Sequence, residues 1–160
     1  MYPAQKETAL SLLRFAEDNR AYGNNYMIPC KDFLDPTDDF TELNCERLEG
    51  KQDYINLLDQ LFQADDSAYV YVCLYGFEED HDDIAIYSDT LIVFSKLPLA
   101  EVQQIFNSAE DIFPSDVGEI TDLNETYFII DESGKKCQAT DYVRQHHLSS
   151  DHFIYYCWWD

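Results

Sequence analysis

The chain has 160 residues, 46% of them hydrophobic and 15% aromatic, with 32 Asp and Glu against 10 Lys and Arg, a formal charge of −22 and a pI near 4.1. That length fits a single domain spanning 1–160, and the aromatic content excludes a disordered chain despite the charge. Charge of this sign disfavours direct contact with nucleic acid or anionic lipid, which need Lys and Arg to neutralise phosphate, and favours a basic protein partner; acidity that only confers solubility, or adapts a host to salt, is the plainer alternative.

Residues 4–18 have the spacing of an amphipathic helix, with Leu10, Leu12, Leu13 and Phe15 on its apolar side and Pro3 suited to its first turn. From Tyr22 to Gly50 there is no clear period, and Gly23, Asn24, Asn25, Pro29 and Pro36 suggest an irregular connection with a short strand near Tyr26–Ile28. Lys51 to Gln63 is the clearest helix, its face built from Tyr54, Leu57, Leu58, Leu61 and Phe62. Ala68 to Phe77 is β-branched and aromatic, and predicts a strand. The run Glu78–Asp83 (EEDHDD) predicts a hairpin loop, Ile84–Tyr87 a second strand, Ser88-Asp89 a tight turn, and Thr90–Phe94 a third strand. Pro98 opens a helix with Leu99, Val102, Ile105 and Phe106 in its stripe, and Asp111–Glu119 reads as a loop. Thr126–Ile130 predicts a strand, Asp131–Gly134 a turn, Thr140 the N-cap of a short helix through His147, and Phe153–Trp159 a last strand. Strands that follow one another directly indicate an α+β fold: a mostly antiparallel or mixed sheet of four to six strands, with helices packed on one face.

The N-terminus lacks the basic start and uncharged apolar run of a secretion signal, and no apolar stretch is long enough for a membrane helix. Five widely spaced cysteines, with Cys73 and Cys157 inside apolar runs, then suggest reduced thiols in a cytoplasm. Between Lys51 and Lys135 the one basic residue is Lys96, against nineteen acids, so the acidity belongs to the central strands and their loops rather than to a tail.

Clustered oxygens in EEDHDD could suit a divalent ion, but the EF-hand positions of Gly and Glu do not fit, and a solvated loop or a cationic partner accounts for the run better. The histidines His81, His146, His147 and His152 lack zinc-ligand spacing, and a pair such as Cys137 with His147 has no local support. There is no GxSxG, GxxxxGK[ST] or GxGxxG, so neither a catalytic centre nor a cofactor is expected. At the C-terminus, Phe153, Tyr155, Cys157 and Trp159 share one strand face and Ile154, Tyr156 and Trp158 the other. Either the strand is central and buried on both faces, or it is an edge strand that offers Tyr156 and Trp158 to a partner. The candidate contact set is Glu78, Glu79, Asp80, Asp82, Asp83, Asp111, Asp116, Glu119 and Asp122, with Tyr156 and Trp158 as the aromatic anchor.

The segment DDIAIYSDTLIVFSKLPLAEVQQIF with FPSDVGEI, within residues 82–120, resembles segments of bacterial toxin immunity proteins. That resemblance implies a cytoplasmic antidote that occludes the active site of a basic, nuclease-type toxin, with no catalytic residue of its own. A mimic of DNA charge that blocks nucleic-acid-binding proteins, and an enzyme without a recognisable motif, are the alternatives.

Overall fold

The computed structural model describes residues 1–38, 41–43, 51–109, 112–146 and 151–160. In chain order the elements are α1 (Pro3–Asn19), β1 (Asn25–Pro29), α2 (Cys30–Phe33), β2 (Thr41–Leu43), α3 (Lys51–Ala64), β3 (Tyr69–Asp80), β4 (Asp83–Ser95), α4 (Leu99–Asn107), β5 (Asp116–Glu119), β6 (Tyr127–Ile130), β7 (Lys136–Gln138), α5 (Ala139–Gln145) and β8 (Phe153–Trp158). All the described strands join one mixed sheet in the order β5-β8-β4-β3-β1-β6-β7, with β2 alongside β4 off this path. The α+β class holds, and the sheet is wider than four to six strands. The added strands β2, β5 and β7 have three or four residues each, too few to show a period of two.

β3 and β4 form a long antiparallel hairpin, paired from Tyr69↔Phe94 out to Asp80↔Asp83. β8 runs antiparallel to β4 on the other side, and β5 adds antiparallel to β8. The parallel pairs are β1 with β6 and β2 with β4.

Helices α1, α3 and α4 cover one sheet face. Ala9, Leu10 and Leu13 of α1, Tyr54, Leu57, Leu58 and Leu61 of α3, and Val102 and Phe106 of α4 are buried there against Val70, Val72, Leu91, Val93, Tyr155, Cys157 and Trp159. The expectation of helices on one face alone needs correcting. On the opposite face α5 places Ala139 and Tyr142 over Met27, Tyr71, Ile92, Phe94 and Ile129, joined by Leu123 from the β5–β6 connection. α5 escapes a periodicity argument because it is two turns long, and Gln138 rather than Thr140 is its N-cap. Among the described residues, this second cover does not extend to the hairpin end of the same face.

Two polar side chains tie the layers together. Gln5 is fully buried, accepts from Tyr2 N at 3.1 Å, and donates to Asp32 Oδ2 at 2.9 Å and Ile130 O at 3.3 Å. Asp65 follows α3 and accepts from Ser67 N and Oγ, Ser95 Oγ and Lys96 N at 2.6–3.0 Å, which fixes the start of β3 to the end of β4.

Candidate functional site

The acidic run is not a loop. Glu78, Glu79 and Asp80 are the last residues of β3 and Asp83 the first of β4, so the turn itself is His81-Asp82, with His81 left-handed at φ 55°. Nor is Ser88-Asp89 a turn. β4 runs straight through it, and the register passes from Cys73↔Thr90 to Leu74↔Ser88 to Gly76↔Tyr87. Asp89 is thus an extra residue on β4 and Tyr75 an extra residue on β3, a compensating pair of bulges of the kind that re-aims side chains. Buried Ser88 supports the bulge, its Oγ donating to Cys73 O at 2.6 Å and accepting from Thr90 N at 3.2 Å.

Alternation then sorts the acids by face. Phe77, Ile84 and Ile86 pack on the α1 side, and so does Glu79, which pairs with Arg14 of α1 while that guanidinium lies over the Phe77 ring. Glu79 therefore leaves the proposed contact set. Glu78, Asp80 and Asp83 face the other way and, with Asp82, Ala85 and Tyr87, line an open acidic hollow in which Tyr87 donates to Glu78. Among the described residues no group of three or more His, Cys, Asp and Glu side chains is arranged to hold a metal ion.

About 20 Å along β4, at the strand rise of roughly 3.3 Å per residue, the same face carries the aromatic residues. Thr90, Trp158 and Asp116 form one cross-strand row over β4, β8 and β5, and Ile92, Tyr156 and Gly118 form the next. β8 lies between β4 and β5, so it is not an edge strand. It is not buried on both faces either: Tyr155, Cys157 and Trp159 are buried, whereas Trp158 is 37% exposed. Trp158 Nε1 donates to Asp89 Oδ2 at 3.3 Å, and Tyr156 Oη donates to Asp116 Oδ2 at 2.6 Å, a bond that raises the Tyr156 phenol pKa. Gly118 is the seat for this ring, since a Cβ there would lie 2.5 Å from Tyr156 Oη.

Asp116 and Glu119 are strand residues, not loop residues, and alternation turns Glu119 to the helix-covered side beside Tyr155. Asp122 is exposed in the β5–β6 connection, and Asp111 lies outside the described residues. The structure thus joins Glu78, Asp80, Asp82 and Asp83 at one end of a face, and Asp116, Tyr156 and Trp158 at the other. Between them it adds Asp89, Tyr75 and Tyr87, which the sequence did not single out. A Tyr before a Gly inside an apolar strand was the available signal for the bulge at Tyr75.

One constellation has the composition of a nucleophilic site. Ser67 Oγ lies 3.2 Å from His152 Nε2, and Asp151 is 3.9 Å from His152 Nδ1. Its hydrogen bonds run the wrong way for catalysis. His152 Nε2 also sits 2.9 Å from the Ser67 carbonyl, an acceptor only, so that nitrogen carries the proton and cannot act as base towards Ser67. The Ser67 hydroxyl donates instead to Asp65 Oδ1 at 2.6 Å. The cluster serves as a clamp between β3 and β8.

Cys30, Cys73, Cys137 and Cys157 are free thiols. Burial pushes Cys73 and Cys30 up to about 12, and Cys157 well above the ordinary thiol value, which favours the protonated thiol in all three. Cys45 and His147 lie outside the described residues. Among the described residues no helix is long and apolar enough to cross a membrane. No protein-family model, curated protein or solved structure shows significant similarity to the chain.

Proposed function

We propose that this chain is an acidic binding protein that receives a cationic protein on the half of its sheet that no described helix covers, and more specifically an immunity protein that inhibits a nuclease-type toxin by covering its active site. One observation carries this reading. The four neighbouring strands β5, β8, β4 and β3 contain no Lys or Arg, and five of their seven acids, Glu78, Asp80, Asp83, Asp89 and Asp116, lie on this face, with Asp82 in the turn beside them. Exposed Tyr75 and Trp158 interrupt the carboxylates on one face. Charge alone steers encounter, and desolvated aromatic anchors supply affinity, so a surface with both fits a specific protein partner better than mere solubility. A nuclease cleft is basic because it binds phosphate, which makes it complementary to this face. The segment that resembles immunity proteins falls on β4, α4 and β5, and both strands contribute to the face.

The test is coexpression with the product of the adjacent upstream gene. Expected are rescue of growth, a purified complex, and an association rate that falls at least about tenfold between 50 and 500 mM salt. Absence of both rescue and complex refutes the immunity assignment. A complex whose association rate ignores salt refutes the steering. Capture of many DNA-binding proteins in place of one partner would favour a DNA-charge mimic.

A further inference from the structure

From the geometry around Trp158 we infer that this sheet face holds a seat for an arginine side chain of the partner: the guanidinium stacks on the indole and is flanked by the Asp89 and Asp116 carboxylates. The inference rests on the proposal that this face receives a cationic protein, and it names the group recognised. Trp158 is exposed in mid-sheet, on a strand whose other face is core, so its exposure is not that of a frayed terminus. Asp89 takes the indole N–H at its Oδ2. A carboxylate that accepts from an indole N–H lies near the ring edge and not over the π-face, which is where a cation stacks. Asp116 is the cross-strand neighbour of Trp158 on the other side, and Tyr156 holds its Oδ2. Among the described residues nothing bonds to Asp116 Oδ1.

Both carboxylates are positioned by neighbours rather than free to rotate. Asp89 is aimed by the bulge and also accepts from Thr90 Oγ1 at 2.7 Å, and Asp116 is held by the Tyr156 ring lying over Gly118. None of the strands β3, β4, β5 and β8 supplies a Lys or Arg to fill the seat from within. Arginine fits better than lysine because a planar guanidinium can stack on the ring and still present in-plane N–H groups to carboxylates on either side. Strand addition at the neighbouring edge is less suited, since Gln103 of α4 already donates to Val117 O of β5 at 3.0 Å.

The test uses blocked octa-arginine and octa-lysine peptides of equal charge, titrated into the intact protein at about 150 mM salt. The readout is the two indole N–H resonances in an ¹⁵N spectrum. Trp159 is the internal control, being buried and bonded to Ile112 O at 2.9 Å. Expected is about tenfold tighter binding of the arginine peptide, with a shift at Trp158 and none at Trp159. Trp158→Leu and Asp116→Asn should each bring the arginine peptide down to the lysine level and leave lysine binding within about twofold. Asp116 is exposed, so its variant decides the matter if the Trp158 variant does not fold. Equal affinity for the two peptides, or arginine binding indifferent to both substitutions, overturns the seat while the acidic-face proposal stands. If neither peptide binds, both fall.

Discussion

Asp65 should be the carboxylate on which the fold depends most. The residue is 8% exposed and its side chain accepts four hydrogen bonds, two from Ser67 after α3 and one each from Ser95 and Lys96 at the end of β4. Burial by itself would raise its pKa, but the bonds from Ser67, Ser95 and Lys96 outweigh it and bring the group from 3.8 to about 2. Taken at face value that difference is worth roughly 2.5 kcal/mol, and solvent screening reduces it to about 1–2 kcal/mol. The folded pKa lies below the unfolded one, so the stabilisation is complete above about pH 5 and is lost as pH falls from about 4 towards 2. Asp65→Asn also turns an amide N–H₂ towards donors and strands at least one of them, which brings the expected loss at pH 7 to about 2–4 kcal/mol. Urea unfolding of both proteins from pH 7 down to pH 2.5 checks this. The gap between them should stay constant to about pH 5 and then narrow by about 1–2 kcal/mol. A gap of less than about 0.5 kcal/mol at pH 7, or one that does not change with pH, would mean that the Asp65 carboxylate does not stabilise the fold through these bonds.

Gly118→Ala should displace the Tyr156 ring and cost about 1–2 kcal/mol, with loss of the phenol's raised pKa in a spectrophotometric titration; an unchanged titration would show that the ring has another seat. Cys157→Ser places a hydroxyl in the core at 0% exposure and should lower stability by about 1–3 kcal/mol, whereas Cys137→Ser at a half-buried site should change the urea midpoint little. Asp80 and Asp83 are directly opposed across the hairpin end, so Asp83→Asn should stabilise by about 0.2–1 kcal/mol, or about 1–3 °C in Tm. A solvated loop would show no such gain.

The parts of this fold that announce themselves in sequence bury one face over several turns or many strand residues. α1, α3 and α4 do so with regular apolar stripes, and β3 and β8 with near-continuous β-branched and aromatic runs. EEDHDD misleads because the β3–β4 hairpin extends beyond its neighbours, where strand positions are solvated and can carry acids as easily as a loop. Ser88-Asp89 misleads because the residues suited to a turn are also those that satisfy a bulge, here through the Ser88 hydroxyl. Of the candidate site, the identities of the acids and of Tyr156 and Trp158 were legible. Their sorting by face was not, because the bulges at Tyr75 and Asp89 shift the alternation by one residue. A one-residue shift moves every later side chain to the other side of the sheet, which is how Glu78 and Asp80, rather than Glu79, come to lie on the face opposite α1.

The proposed docking surface for the cationic partner is the half of the sheet that no described helix covers, and not the covered half or an edge. Hydrogen–deuterium exchange of the chain alone and in its complex with the upstream gene product tests it most directly. New protection is expected in the hairpin from Tyr75 to Thr90 and in β8 and β5, together with a lower Trp158 N–H exchange rate. Protection confined to α1, α5 or the β6–β7 edge, with the hairpin and Trp158 unchanged, would contradict it.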